Sequence, residues 1–110
     1  MSLHSYTATI GRNIGTMPMT LTMWEQFKGD VQTDMVNTAV HAAVHVESVE
    51  THYGKGMWQG IEEESAKITI LTSARMDDGA LNILRGYLSE NARHYGQDAI
   101  ALTIGESELC

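Results

Sequence analysis

The sequence predicts an α+β fold of the ferredoxin-like βαββαβ kind, a four-stranded antiparallel sheet with two helices on one face. Three observations carry that reading. Periodic segments follow one another in the order strand, helix, strand, strand, helix, strand. They use nearly all of the 110 residues, so a single domain spanning 1–110 is expected, with no linker or internal repeat. The hydrophobic fraction of 43% is that of an ordinary globular chain, and a chain of this length buries roughly 65% of its unfolded surface without staples.

Residues 4–10, HSYTATI, alternate: Tyr6, Ala8 and Ile10 face one way, Ser5, Thr7 and Thr9 the other. That is a half-buried strand. Met1-Ser2-Leu3 adds nothing to the pattern and reads as an addition ahead of a natural start near His4. Gly11 to Pro18 read as a loop. Leu21, Trp24, Phe27, Val31 and Met35 then recur at spacings of three and four, the stripe of a first helix. Either Thr22, with Glu25 completing a capping box, or Thr20 starts it, and Asn37–Thr38 is the expected end.

Residues 40–53 read as the second strand. Val44 and Val46 share a face and Val49 takes the other, which calls either for burial on both sides or for a bulge near Glu47–Ser48. GKGMWQGIEE, 54–63, has three glycines in seven residues and reads as a long hairpin loop. The third strand is expected over 64–73. Ala80, Leu81, Leu84, Leu88 and Ala92 mark the second helix, with Ile83, Tyr87 and Tyr95 widening its stripe. Asp77 and Asp78 suit its start, Arg93 and His94 its end, and Gly96 its C-terminal cap. DAIALTI, 98–104, is the last strand.

Right-handed crossovers are expected to place the first and last strands in the centre of the sheet. The face away from the helices would carry Thr7, Thr9, Thr69, Leu71, Ala99, Ala101 and Thr103. So small and mildly polar a surface suits a covered face, and a homo-oligomer packed through it is the expected partner state.

Lys and Arg total 7 against 14 Asp and Glu, a formal charge of −7, and the cations are scattered. Nucleic acid and anionic membranes are therefore not expected partners. No apolar run approaches the ~20 residues that span a bilayer. No signal peptide is evident, and a lone cysteine, Cys110, fits a reducing, cytoplasmic setting. Cys110 at the end of the sequence makes a poor nucleophile, and no catalytic set suggests itself.

His41-Ala-Ala-Val-His45 has a zinc-like spacing. On a strand the two rings would stand about 13 Å apart, too far for one ion. Neither a metal nor another cofactor is expected. Glu62-Glu63-Glu64 supplies carboxylates at a strand entrance; the commoner reading is a solvated charge run, and the functional one sends Glu63 or Glu64 into a site. In the glycine-rich loop, Trp58 either folds back onto the sheet edge or a neighbouring subunit, or stacks on a ligand whose anionic group meets Lys55. Gly11-Arg12-Asn13-Ile14-Gly15 is either a plain turn or an anion-accepting backbone assisted by Arg12. The candidate binding residues are thus Arg12, Asn13, Lys55, Trp58 and Glu63.

GKGMWQGIEEESAKITIL and the closing GQDAIALTIGES resemble segments of small ferredoxin-like proteins, among them uncharacterised proteins of actinobacteria and their phages and, more loosely, the nitrogen-signalling PII group. The resemblance implies that the loop between the second and third strands contacts a ligand or partner. The basic residues with which such proteins hold phosphate have no counterpart here. The leading expectation is a non-enzymatic oligomeric binding protein whose loop recognises a small molecule or a protein. Trp58 would give contact area, Lys55 charge and Glu63 a polar anchor. The alternatives are a small dimeric enzyme with a pocket between sheet and helices, using His45 or Glu63 as base, and a phage or bacterial assembly protein.

Overall fold

Tyr6, Ala8 and Ile10 are all buried while Thr7 and Thr9 between them are half-buried, and that alternation orients the first strand. A computed structural model describes residues 2–108, apart from the side chain of Trp58. Its elements are β1 (Ser2–Gly11), β2 (Asn13–Ile14), β3 (Met17–Pro18), α1 (Leu21–His41), β4 (Val46–Trp58), β5 (Ile61–Thr72), α2 (Asp78–His94) and β6 (Ala101–Glu108). The fold is α+β. The long strands form one antiparallel sheet in the order β4-β5-β1-β6, and β2 and β3 form a small separate hairpin inside the connection to α1. Ser2 and Leu3 belong to β1 and pair with Glu108 and Ser107, so they extend the strand instead of standing ahead of it.

The central strands are β1 and β5, not the first and last long strands that the sequence pointed to. Burial explains the choice. Ala66, Ile68 and Ile70 of β5 are fully buried, whereas Ile104 of β6 is 42% exposed. The core joins this face to Phe27, Val31 and Met35 of α1 and to Leu81, Leu84 and Leu88 of α2, so both helices cover the same side. Tyr6 Oη accepts the Met76 backbone N–H at 2.7 Å, which satisfies the one polar atom of a fully buried ring.

Thr20, not Thr22, caps α1, its hydroxyl accepting the Met23 N–H at 3.2 Å. Leu21, placed on the apolar stripe by its spacing, is 64% exposed in the first turn. The helix runs on past Asn37 and Thr38; Thr38 returns its hydroxyl to the Asp34 carbonyl at 2.7 Å and stays helical. It stops where Ala43 turns into the left-handed region at φ 56°, and the N–H groups of Ala43 and Val44 close on Val40 and Ala39. His41 is therefore the last helical residue and His45 lies beyond the turn, on no common strand. The expected bulge is present: Val46 pairs with Thr72 and Ser48 with Leu71, leaving Glu47 as the extra residue.

The stretch 54–63 is not a loop. β4 continues to Trp58, β5 begins at Ile61, and the two are joined by Gln59 and Gly60 at φ 51° and 79°. Positive φ at both central residues is the tight hairpin turn whose twist matches the strands. Beyond the last β1–β5 pair, Gly11 with Ser65, the hairpin projects as a two-stranded arm. β6 begins at Ala101, so Ala99, expected on the open face, precedes the strand. On that face Thr7 and Thr69 join hydroxyls at 2.8 Å, and Ala101 and Thr103 are exposed.

Candidate functional site

The base of the arm is where most of the sequence-derived candidates meet. Gly11 ends β1 opposite Ser65, and the chain then turns along the start of β5. The Arg12 N–H donates to the Glu64 carbonyl at 3.0 Å. The Arg12 guanidinium reaches Glu64 Oε2 with Nη1 at 2.9 Å and the Met19 carbonyl with Nε at 2.9 Å. The Asn13 N–H donates to Glu63 Oε2 at 2.8 Å, and Asn13 Nδ2 to the Glu62 carbonyl at 3.2 Å. Gln97 closes the cluster from the far end of α2, its Nε2 donating to the Asn13 carbonyl at 2.7 Å.

Glu63 lies flat over Gly11. A Cβ added at Gly11 would stand 2.5 Å from the Glu63 carboxyl carbon, so glycine is required for this close approach. The carboxylates divide as an extended chain dictates: Glu63 takes one face, Glu62 and Glu64 the other. Arg12, Asn13 and Glu63 are thus brought together, but each is engaged by another. Arg12 neutralises Glu64, and Glu63 fills the backbone N–H that an anion would have used. Glu63→Ala is expected to lower folding stability by about 1–2 kcal/mol, because the Asn13 N–H loses its partner. A urea titration checks this, and an unchanged midpoint would contradict it.

Lys55 and Trp58 sit farther out. Lys55 is on the arm's helix-side face, with Nζ 3.6 Å from Glu62 Oε1 and both side chains about two-thirds exposed. Such a pair contributes little to stability. The side chain of Trp58 lies outside the description, as does Cys110; the Trp58 backbone is the last of β4 before the turn. Neighbouring Met57 is 74% exposed and Tyr53 66%.

A second cluster was missed. Lys28 is buried on α1, its ammonium 2.7 Å from Glu25 Oε1 and 3.1 Å from Tyr53 Oη. It also lies 5.3 Å from the Trp24 ring centre and 4.6 Å from that of Tyr53. Burial alone would pull its pKa down, but the bonds to Glu25 and Tyr53 outweigh that and hold it above the ordinary lysine value. The available signal was a lysine one position after Phe27 inside an otherwise apolar stripe. Nothing in the sequence marked Gln97, which acts across 84 residues.

Among the described residues two surface grooves stand out, and neither is lined by His45 or Glu63, the groups expected to act as base in an enzyme. One, of about 640 Å³, lies between α2 and the chain entering β6, with Leu88, Ala92, Ile100 and Leu102 as its apolar lining and Arg85, Arg93, Glu90 and Asp98 as its charged residues. The other, of about 410 Å³, lies over the α1–α2 seam and is lined by Asp30, Asp34, Glu90, Asn91 and His94 among others. At that seam Tyr95 Oη donates to Asp30 Oδ2 at 2.5 Å and Asn91 Nδ2 to Asp34 Oδ2 at 2.7 Å. Among the described residues no three His, Cys, Asp or Glu side chains converge on a metal-sized point. No described helix is long and apolar enough to cross a membrane.

No protein-family model and no curated protein matches the sequence. Solved structures do. A phage SAM lyase in complex with S-methyl-5'-thioadenosine is similar over 94% of this chain and 81% of its own, with a TM-score of 0.59 at 17% identity. A phage SAM lyase in the apo state gives 0.54 at 19% identity, over 94% and 79% of the two chains. CutA from Synechococcus elongatus gives 0.45 at 16% identity over 96% and 80%, too low to carry an argument. At these identities the likeness is one of fold.

Proposed function

We propose that the chain is a ferredoxin-like homo-oligomer that binds an adenosyl sulfonium, S-adenosylmethionine, beside the β4–β5 arm and cleaves it: the ligand's own carboxylate closes on its Cγ to form a lactone, the Cγ–S bond breaks with its electron pair going to sulfur, and the neutral thioether S-methyl-5'-thioadenosine leaves. The supporting observation is the likeness over nearly the whole chain to a phage SAM lyase holding that thioether. A shared fold does not fix chemistry, but two properties of this chain fit the ligand. Its charge of −7 attracts a cation and lets a neutral thioether leave. The sequence places Trp58 at the end of the arm's first strand, and an indole ring attracts cations. Lys55, near the arm's tip, is the group for the carboxylate end of the ligand.

A second reading, binding without turnover, is favoured by the arm's base. Arg12, Glu63 and Glu64 are spent on one another and on backbone, which leaves none of them as a ready acid or base.

Incubation with S-adenosylmethionine, followed by chromatography, separates the two. Release of S-methyl-5'-thioadenosine, lost on Trp58→Ala, is the expected result. Binding by calorimetry without product would leave the binding reading alone. Neither binding nor product would overturn both.

A further inference from the structure

We propose that Trp24, Tyr53 and Glu25 form a cation cage that Lys28 fills in the free chain, and that a sulfonium ligand takes the place of the Lys28 ammonium. This deepens the sulfonium reading above and rests on it, because it gives the charged centre of the ligand a seat. The cage is recognised by the cation already in it. The Lys28 ammonium stands 4.6 Å from the centre of the Tyr53 ring and 5.3 Å from that of Trp24. Both lie within the roughly 6 Å over which a ring face attracts a cation. Glu25 Oε1, 2.7 Å away, supplies the counter-charge, and Tyr53 Oη lies at 3.1 Å. Two aromatic rings and one carboxylate around a single positive charge suit a sulfonium or quaternary ammonium, whose charged atom has no hydrogen to donate.

Packing does not call for a charge at this position. Phe27 and Val31 carry the α1 stripe into the core, and burying an ammonium costs part of its hydration. Apolar residues in place of buried ion pairs are often as stable or more so.

The cage is also able to exchange its occupant. Trp24 is buried and meets Phe27 edge-on at 6.2 Å, so that wall stays in place. The other two walls open to water: Tyr53 is 66% exposed and the Glu25 side chain 61%. The Lys28 ammonium hangs on a flexible four-carbon stem and regains its strong hydration when it swings out. Lys55 lies two residues beyond Tyr53 on the same face of β4, about 7 Å along the strand. A ligand with its sulfonium in the cage would therefore set its carboxylate towards Lys55. In the free chain Lys28 is a tethered competitor for that seat.

Trimethylsulfonium is the probe. A site filled by its own lysine about nine-tenths of the time binds about tenfold more weakly than the same site left empty. By calorimetry, Lys28→Ala is expected to bind the probe about tenfold tighter than the native chain, and adding Tyr53→Ala should remove the gain. Equal affinity in Lys28→Ala and the native chain, or a gain that survives Tyr53→Ala, overturns the cage. A second measurement needs no variant. Lys28 is buried and held protonated by its partners, so it should react slowly with acetic anhydride. Saturating trimethylsulfonium should speed its acetylation severalfold by mass spectrometry, against sodium chloride at equal ionic strength. No change at Lys28, or the same change at Lys55 and Lys67, overturns the cage too. Release of Lys28 by the probe in a chain that ignores S-adenosylmethionine would sink the lyase reading and leave the cage standing. Product from S-adenosylmethionine without release of Lys28 would do the reverse.

Discussion

Phe27→Ala is expected to cost about 3–5 kcal/mol of folding stability, the range for removing a large aromatic ring from a packed core. Phe27 is fully buried where the two helices meet the sheet. Its ring stacks on Tyr95 with centroids 4.6 Å apart and planes 21° from parallel, and meets Trp24 edge-on at 6.2 Å. Such pairs add about 0.5–1.5 kcal/mol to the burial itself. Alanine leaves a cavity bounded by α1 and by the end of α2, neither of which can collapse without moving the other. Against a total of about 5–15 kcal/mol for a domain of this kind, the loss should bring much of the protein close to unfolding. Denaturant titration read by far-ultraviolet dichroism gives the number. Leu21→Ala is the internal control, since Leu21 shares the spacing of the stripe but is 64% exposed, and it should cost under about 0.5 kcal/mol. Similar costs at both positions would mean that α1 packs by a different face.

That contrast shows how far periodicity reads. It identified the helix stripes, the alternation of β1 and the bulge beside Glu47, because each is written in the order of apolar residues. It failed at two backbone positions for one shared reason. A left-handed residue normally advertises itself as glycine or asparagine, since other side chains disfavour that conformation by about 1–2 kcal/mol. Here the residue that ends α1 is Ala43, and the first turn residue of the arm is Gln59. Neither carries the signal. Asn37 and Thr38 were therefore read as a helix end that does not exist. Gly54, Gly56 and Gly60 were read as a loop, although Gly54 and Gly56 sit in a paired strand and Gly60 alone makes the turn. Strand order failed differently, because it depends on which strand is buried on both sides of its ladder, a property of the assembled sheet.

The candidate site was legible as a set of residues and illegible as a mechanism. Arg12, Asn13 and Glu63 were singled out as ligand groups because charged and amide side chains near glycines serve that purpose. They do converge, but on one another: the glutamate run and the glycine turn are partners across the sheet end, 50 residues apart for Asn13 and Glu63. A sequence supplies donors and acceptors without saying which satisfy each other. Tyr53 and Lys55 are likewise engaged, by Lys28 and Glu62, and the exposed side chain left over beside them is Met57, 74% exposed.

Tyr95 gives the protein an alkaline limit that can be tested on the native chain. Burial first, then the hydrogen bond to Asp30 and the charge of that carboxylate, push the phenol up to about 12 from 10.0. The folded state therefore holds a proton that the unfolded chain releases. The stabilisation is fully present below pH 10 and is lost as pH rises through the folded value. A shift of this size corresponds to about 2–3 kcal/mol. Other phenols and amines titrate in the same window, so the informative quantity is the difference between the native protein and Tyr95→Phe. At neutral pH the phenylalanine variant keeps the stack on Phe27 but leaves Asp30 Oδ2 without its donor, and should be about 1.5–3 kcal/mol less stable. Between pH 9 and 12 the native advantage should shrink towards zero, because only the native protein has this proton to lose. Stability curves that stay parallel across that window would show that Tyr95 and Asp30 do not share a proton in solution. The α1–α2 seam would then owe its hold to the aromatic stack and to Asn91–Asp34 alone.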